Sequence, residues 1–405
     1  MAKQALEGLK VVDFGWVIAG PQVGIYFAHH GATVIRVESM HRVDVTRTSM
    51  PYKDNKPGIN RCGVFDFFNS NKLGMGLNLS HPRGVEVAKR LVAWGDVVGE
   101  NFAPGVMRKL GLNYEELKKV RPDIIMYSSS NLGQTGPEAG QPGLGVQLVS
   151  YSGFTSLTGW PDRMPVQPYG VYTDFPAPRL TVAAVLAALE YRRRTGKGQY
   201  LDISQMEAGI HFLAPAVMDY AVNRRVQTRN GNRCDYAAPH GAYPCKGDDR
   251  WCAIAVFSDE EWAALRQVMG NPGWARAAKL ATLRGRKKHE DELDERLAQW
   301  TKDSMAEEVM EKLQAASVPA GVVKNAADIQ DDPQLAYRHY FWSIEHPEIG
   351  MHHYDSAGGC ILSKTPEEVE MPSPLLGQHT EYICREILGM SDAEFIDLLT
   401  QGVFE

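Results

Sequence analysis

The chain lacks most signatures that assign an enzyme class at a glance. Its six cysteines, Cys62, Cys234, Cys245, Cys252, Cys360 and Cys384, form no CxxC pair. That argues against a zinc site or a dithiol redox centre and leaves reduced thiols as the expectation. No uninterrupted apolar run approaches the roughly 18 residues that a membrane helix needs. The first residues, Met-Ala-Lys-Gln, carry no apolar signal core, so a cytoplasmic protein is expected. Positive charge is also scarce: 43 Lys and Arg against 49 Asp and Glu give a net charge of -6. Sequence-independent nucleic-acid binding, which needs a basic surface, is disfavoured. GxSxG, Walker A and HExxH patterns are all missing. The first strand runs into GWVIAGP rather than GxGxxG, which disfavours an ordinary nicotinamide dehydrogenase, although Glu38 ends the second strand where such enzymes hold a ribose.

What remains is an ordinary globular composition, 44% hydrophobic and 23% charged over 405 residues. That length suggests two domains. Strand and helix patterns alternate through the first half: strands over 9–14, 32–38, 96–100 and 123–129, helices over 21–30, 83–94 and 113–120. This rhythm predicts a parallel, Rossmann-like sheet whose ligands lie beyond the C-terminal strand ends. A long helix over 178–194 closes on Arg192–Arg194 and Gly196, followed by a strand at 200–203 and a helix at 204–222. Residues 1–222 are read as the large domain, 223–239 as a linker, 240–325 as a smaller α+β domain with a hairpin around Lys246–Arg250, and 326–405 as a linker returning to the large domain.

Several segments, in order, resemble class III CoA-transferases, the family that includes formyl-CoA and carnitine CoA-transferases. They are GLKVVDFGWVIAGP at 8–21, GATVIRVES at 31–39, NSNKLGMGLNL at 69–79 and GENFAPGVMRKLGL at 99–112. GQTGP at 133–137, TDF at 173–175, RRRTGKGQYLDIS at 192–204 and SPLLGQHT at 373–380 complete the set. The resemblance implies an α/β fold with a large Rossmann-like domain built from both chain ends, and an interlocked dimer. It implies transfer of CoA from an acyl-CoA to a carboxylic acid through an aspartyl anhydride and an aspartyl-CoA thioester. No metal and no tightly bound cofactor are needed, and CoA thioesters are the substrates.

By that resemblance Asp174, about twenty residues before TGKGQ and just before a helix, is the nucleophile. Read from the residues alone, Asp174 is an N-cap or turn aspartate, and the resemblance is what makes it the nucleophile. CoA contacts map onto Val17, Ala19, Asn71, Lys72, Asn101, Phe102 and Lys109. The family loop often carries Gln where this chain has Ile18, so a polar helper is missing there. A glycine-repeat loop is replaced by a region holding Arg229, Arg233, Tyr236 and His240. With Arg179 and Trp16, these are the candidate substrate contacts. Guanidinium groups pair bidentately with carboxylates. That would suit a dicarboxylic donor such as succinyl-CoA, as in succinyl-CoA:benzylsuccinate CoA-transferases; the alternative is that these arginines are solvated or bind CoA phosphates. The partner is a second copy or a paralogous subunit. Two rival readings stand beside this one. A 2-methylacyl-CoA racemase places a histidine and an aspartate where this chain has Leu144 and Gly145, and leucine is no base. A non-catalytic subunit of a heteromeric transferase would have no use for Asp174.

Overall fold

The computed structural model describes residues 4–404; the first three residues of the N-terminal stretch lie outside it. A six-stranded, wholly parallel sheet organises the N-terminal half, in the order β3-β2-β1-β4-β5-β6. The strands are β1 (Lys10–Asp13), β2 (Thr33–Glu38), β3 (Leu73–Gly76), β4 (Val97–Glu100), β5 (Ile125–Ser130) and β6 (Tyr200–Ser204). β4 and β5 are buried along their whole length, as sheets covered on both faces require. Successive residues feed opposite faces. Val11, Val34, Val97 and Ile125 pack against one set of helices. Val12, Ile35, Val98 and Met126 pack on the other side with Ile383, Phe395, Leu398 and Phe404, so the C-terminal segment closes that face. β3 was not anticipated: its LGMG sequence is short and half glycine, and only its pairing with β2 makes it a strand.

Helix α1 (Ala19–His29) follows β1, α2 (Pro82–Trp94) precedes β4, and α3 (Tyr114–Val120) precedes β5. A short helix α4 (Gly145–Tyr151) and the 20-residue α5 (Pro176–Thr195) come next. α5 opens on proline and ends in Arg192–Arg194 before Gly196, which takes the left-handed conformation at φ 72°. The single helix expected over 204–222 is broken. It forms Gln205–Ile210, a 3-10 turn at His211–Leu213, and α6 (Ala214–Asn223). Pro215 removes a backbone donor at the break.

By its internal contacts the chain divides into two units. The first holds the residues up to Thr155, then Gln167–Val226, then Tyr337 onward; the second holds Ser156–Val166 and Gln227–Ala336. The second unit thus begins within the anticipated linker and takes in an excursion at 156–166. The reason is local: Gly231 N–H donates to Gly159 O at 2.8 Å, and Arg229 Nε donates to the Trp160 and Arg163 carbonyls. Its three-stranded antiparallel sheet has the order β7 (His240–Pro244), β8 (Trp251–Ala255), β9 (Ala320–Val323). Three helices, α7 (Asp259–Val268), α8 (Glu290–Thr301) and α9 (Ala306–Ala315), pack on it through Trp262, Leu265, Leu297 and Leu313. The return segment read over 326–405 contains a hairpin of β10 (Phe341–His346) and β11 (Gly350–Asp355) in the first unit. Among the described residues no helix is long and apolar enough to cross a membrane.

Candidate active site

The strand order reverses between β1 and β4, the place where open α/β sheets bind ligands. The loop after β1 is tightly held there. Asn101, just past β4, accepts from Trp16 N–H through Oδ1 at 2.7 Å and donates from Nδ2 to Trp16 O at 2.9 Å. Val17 has φ 63°, a left-handed conformation that costs a β-branched residue free energy. Its N–H donates to Asp44 Oδ2 at 3.0 Å, and Asp44 is in turn paired with buried Arg36. Gly20 lets this clasp close, since a Cβ there would stand 2.7 Å from Asn101 Oδ1. Phe102 stands edge-on to Trp16 at 5.8 Å, and the Arg42 guanidinium lies 5.5 Å from the Trp16 ring. Phe102 also borders a cleft with Pro104, Ser130, Asn131 and Gln141, beyond the ends of β4 and β5. Buried Glu100 shapes the turn into that loop by accepting from Phe102 N–H at 2.7 Å. Burial pushes its carboxyl up to about 7.

The other expected CoA contacts divide by exposure. Ala19 is buried and Lys109 is exposed. Asn71 staples the C-terminal segment, donating to Glu368 O and accepting from the Glu370 and Met371 amides. Lys72 is fully buried. Its ammonium donates to Asp13 Oδ2 at 3.0 Å, Pro21 O at 2.8 Å and Asn69 Oδ1 at 3.0 Å. An ammonium has three protons, so none remains for a phosphate. Burial draws its pKa down to about 8 against the pull of Asp13. Glu38 is likewise committed: Arg47 grips both its oxygens, at 2.9 and 2.7 Å, leaving no carboxylate for a ribose.

Asp174 closes a 3-10 turn (Tyr172–Asp174) immediately before α5 and is 7% exposed. Among the described residues no cation or hydrogen bond offsets its burial, which pushes its carboxyl up to about 7. Gly145, at the start of α4, faces it. A Cβ there would stand 2.6 Å from Asp174 Oδ1 and 2.5 Å from Val171 Cβ. The position where a racemase has an acid thus meets the Asp174 carboxylate in this chain with no side chain at all. The carbonyl of Asp174 is held as well: buried Gln22 donates to it from Nε2 at 2.9 Å. Arg179 Nη1 donates to Gln22 Oε1 at 2.8 Å and to Phe175 O at 2.9 Å. Sequence reasoning passed over Gln22. The signal was present, because Pro178 stands four residues after Asp174 and has no N–H to give its carbonyl.

Arg229, Arg233, Tyr236 and His240 belong to the second unit. Arg233 is neutralised there by Asp291 and Asp294, at 2.7 and 2.8 Å, with Glu290 nearby. That removes the free guanidinium expected of it. Tyr236 is exposed and stacks on Phe257 at 6.2 Å. His240 Nδ1 contacts the carbonyl of Asn232 and borders a groove floored by Ala242, Ala253 and Gly321. Among the described residues no cluster of three His, Cys, Asp or Glu side chains could hold a metal ion.

Comparison with known proteins agrees with this architecture. A CAIB/BAIF family protein from Brucella suis superposes with a TM-score of 0.87 at 30% identity, over 95% of this chain and 100% of that one. The succinyl-CoA–L-malate CoA-transferase beta subunit of Chloroflexus aurantiacus is 32% identical, over 98% of both chains. The succinyl-CoA–D-citramalate CoA-transferase of the same organism is 31% identical, again over 98% of both. The mouse (Mus musculus) succinyl-CoA:glutarate CoA-transferase is 30% identical over 99% of this chain and 90% of that one. The profile of CoA-transferase family III matches residues 6–380. The chain belongs to CoA-transferase family III.

Proposed function

We propose that this enzyme transfers CoA from succinyl-CoA to a carboxylic acid, with Asp174 as the nucleophile. The observation that carries the reading is a buried carboxylate with no partner among the described residues, on a backbone gripped from outside its helix. An unneutralised carboxylate costs stability, and a position that retains one is a candidate for chemistry. Three relatives act on succinyl-CoA by their names, which supports the choice of donor.

In the proposed reaction the Asp174 carboxylate attacks the thioester carbonyl. The C–S bond breaks, CoA leaves as thiolate, and an acyl–aspartyl anhydride remains. The thiolate attacks the aspartyl carbonyl, releasing the donor acid and leaving aspartyl-CoA. The acceptor carboxylate then displaces the thiolate, and the thiolate attacks the acceptor's acyl carbon, which restores Asp174. No net proton, metal or redox change is required. Asn101 and the loop it holds, with Val17, Phe102 and exposed Lys109, are proposed to receive CoA.

The proposed assembly is an interlocked dimer with a second copy or a paralogous subunit. Helix α6 supports it: none of its residues is buried, although Val217, Met218, Tyr220 and Val222 are apolar. One relative is itself named a beta subunit.

The test is a donor–acceptor panel with purified enzyme, read by mass spectrometry of the acyl-CoA products. Succinyl-CoA is expected to serve as donor. Asp174→Ala is expected to abolish transfer, and hydroxylamine added during turnover is expected to modify Asp174. Normal turnover by Asp174→Ala sinks the mechanism. Rapid deuterium uptake at the α-carbon of a 2-methylacyl-CoA would instead indicate racemisation.

A further inference from the structure

We infer that Gln22 is a positioning residue that fixes the Arg179 guanidinium at a set offset from Asp174, and that the open edge of Arg179 receives the distal carboxylate of a dicarboxylic acyl donor. This rests on Asp174 being the nucleophile.

The argument begins with the prolines. Asp174 O, four residues before Pro178, has no helical donor and would be an orphan acceptor in a buried setting. Gln22, one turn into α1, supplies the donor from Nε2. The orientation of this amide follows from its neighbours. A carbonyl can only accept and a guanidinium can only donate, so Nε2 must face Asp174 and Oε1 must face Arg179. One rigid amide thus joins the backbone of Asp174 to Arg179. A second bond, from Arg179 Nη1 to Phe175 O, ties the guanidinium to the residue next to Asp174.

Both anchors use Nη1. Among the described residues Nε and Nη2 of Arg179 make no hydrogen bond, and no carboxylate lies within ion-pair distance of the guanidinium. Asp355 is near enough to be influenced by this positive charge, yet burial still lifts it to about 7, and its Oδ2 accepts from Tyr340. An exposed arginine with one corner pinned and the three N–H donors of Nε and Nη2 open is pre-organised for a carboxylate, because little side-chain entropy is left to lose. The other two candidate arginines differ. Arg233 is ion-paired, and Arg229 spends Nε on two carbonyls of its own unit.

The experiment compares kcat/KM for succinyl-CoA and butyryl-CoA, donors of similar length of which one has a terminal carboxylate. Arg179→Gln is expected to lower the succinyl/butyryl ratio by about ten- to a hundredfold, the worth of one charged hydrogen-bonded contact. Gln22→Met should lower the same ratio, and the double variant should fall no further than Arg179→Gln, as for residues acting as a unit. Gln22→Glu keeps the volume but neutralises the guanidinium, so it too should lower the ratio, and it serves if Gln22→Met does not fold. An unchanged ratio in Arg179→Gln overturns the receptor. A ratio lost in Arg179→Gln but kept in both Gln22 variants overturns the positioning role. Asp174→Ala, assayed alongside, separates these failures from that of the nucleophile: its inactivity toward both donors leaves the nucleophile standing whatever the ratio does.

Discussion

At Asp174, burial and the proposed chemistry pull in opposite directions, and both would leave measurable traces. Its carboxyl is pushed up to about 7 from 3.8 by desolvation alone. In the proposed reaction only the ionised form attacks the thioester, so kcat/KM is expected to fall about tenfold per pH unit below about 7, with a one-proton slope. A pH–rate profile flat down to pH 5 would contradict this. The stability effect has the opposite sign to that of a salt-bridged aspartate. The folded state binds this proton more tightly than the unfolded chain does. Its contribution is therefore full below pH 4, is lost as pH rises towards 7, and is flat above. Asp174→Asn does not titrate. Relative to the native enzyme it should gain stability between pH 4 and pH 8, by about 4 kcal/mol at most for a shift of about three units. Denaturant unfolding at the two pH values checks it. Loss of turnover together with that gain marks a residue kept for chemistry rather than for packing.

The elements around Asp174 show what the sequence discloses and what it hides. Parallel strands that open on short apolar runs, Val11–Val12 in β1, Val97–Val98 in β4 and Ile125–Tyr127 in β5, are legible because burial on both faces leaves no polar alternation to decode. The cap of α5 is legible for a similar reason, being written locally as proline, arginines and glycine. Contacts between residues distant in sequence are not. Lys72 reads as a CoA contact until its place just before β3 carries it under α1 to Asp13, and Gln22 reads as one polar residue in an apolar helix until it meets Asp174, 152 positions on. Asn101 is expected from the sequence as a CoA contact, but its grip on Trp16 is not legible there. This grip carries a prediction for the β1–α1 loop. Val17 at φ 63° relaxes unless neighbours hold it, and Asn101 supplies two of the three bonds that do. Asn101→Ala is expected to cost about 1–3 kcal/mol of stability and to raise KM for the acyl-CoA more than it lowers kcat. If kcat falls while KM holds, the loop does not position CoA.

For the whole molecule, the issue is what covers α6. A helix with no buried residue has little packing to stabilise it, and ten residues are too few to persist alone in water. Val222 is 71% exposed and Met218 57%, and Val226 just beyond the helix is 71% exposed. A surface of this kind marks an interface, and a second copy or a paralogous chain of the same fold is the proposed cover. Burying two such side chains contributes about 3 kcal/mol or more. Replacing both with glutamate removes that and asks the interface to bury two charges. Met218→Glu/Val222→Glu is therefore expected to weaken association by at least about a hundredfold. Light scattering should give twice the chain mass for the native protein at micromolar concentration, and the mass of one chain for the variant. Because neither residue is among the proposed catalytic or substrate-contacting groups, the variant also asks whether one chain suffices for catalysis. Transfer lost with the dimer, and regained at concentrations that restore it, would place part of the working site on the partner. Full activity in a monomeric variant would remove the dimer from the mechanism, and an unchanged mass would show that α6 is not the interface.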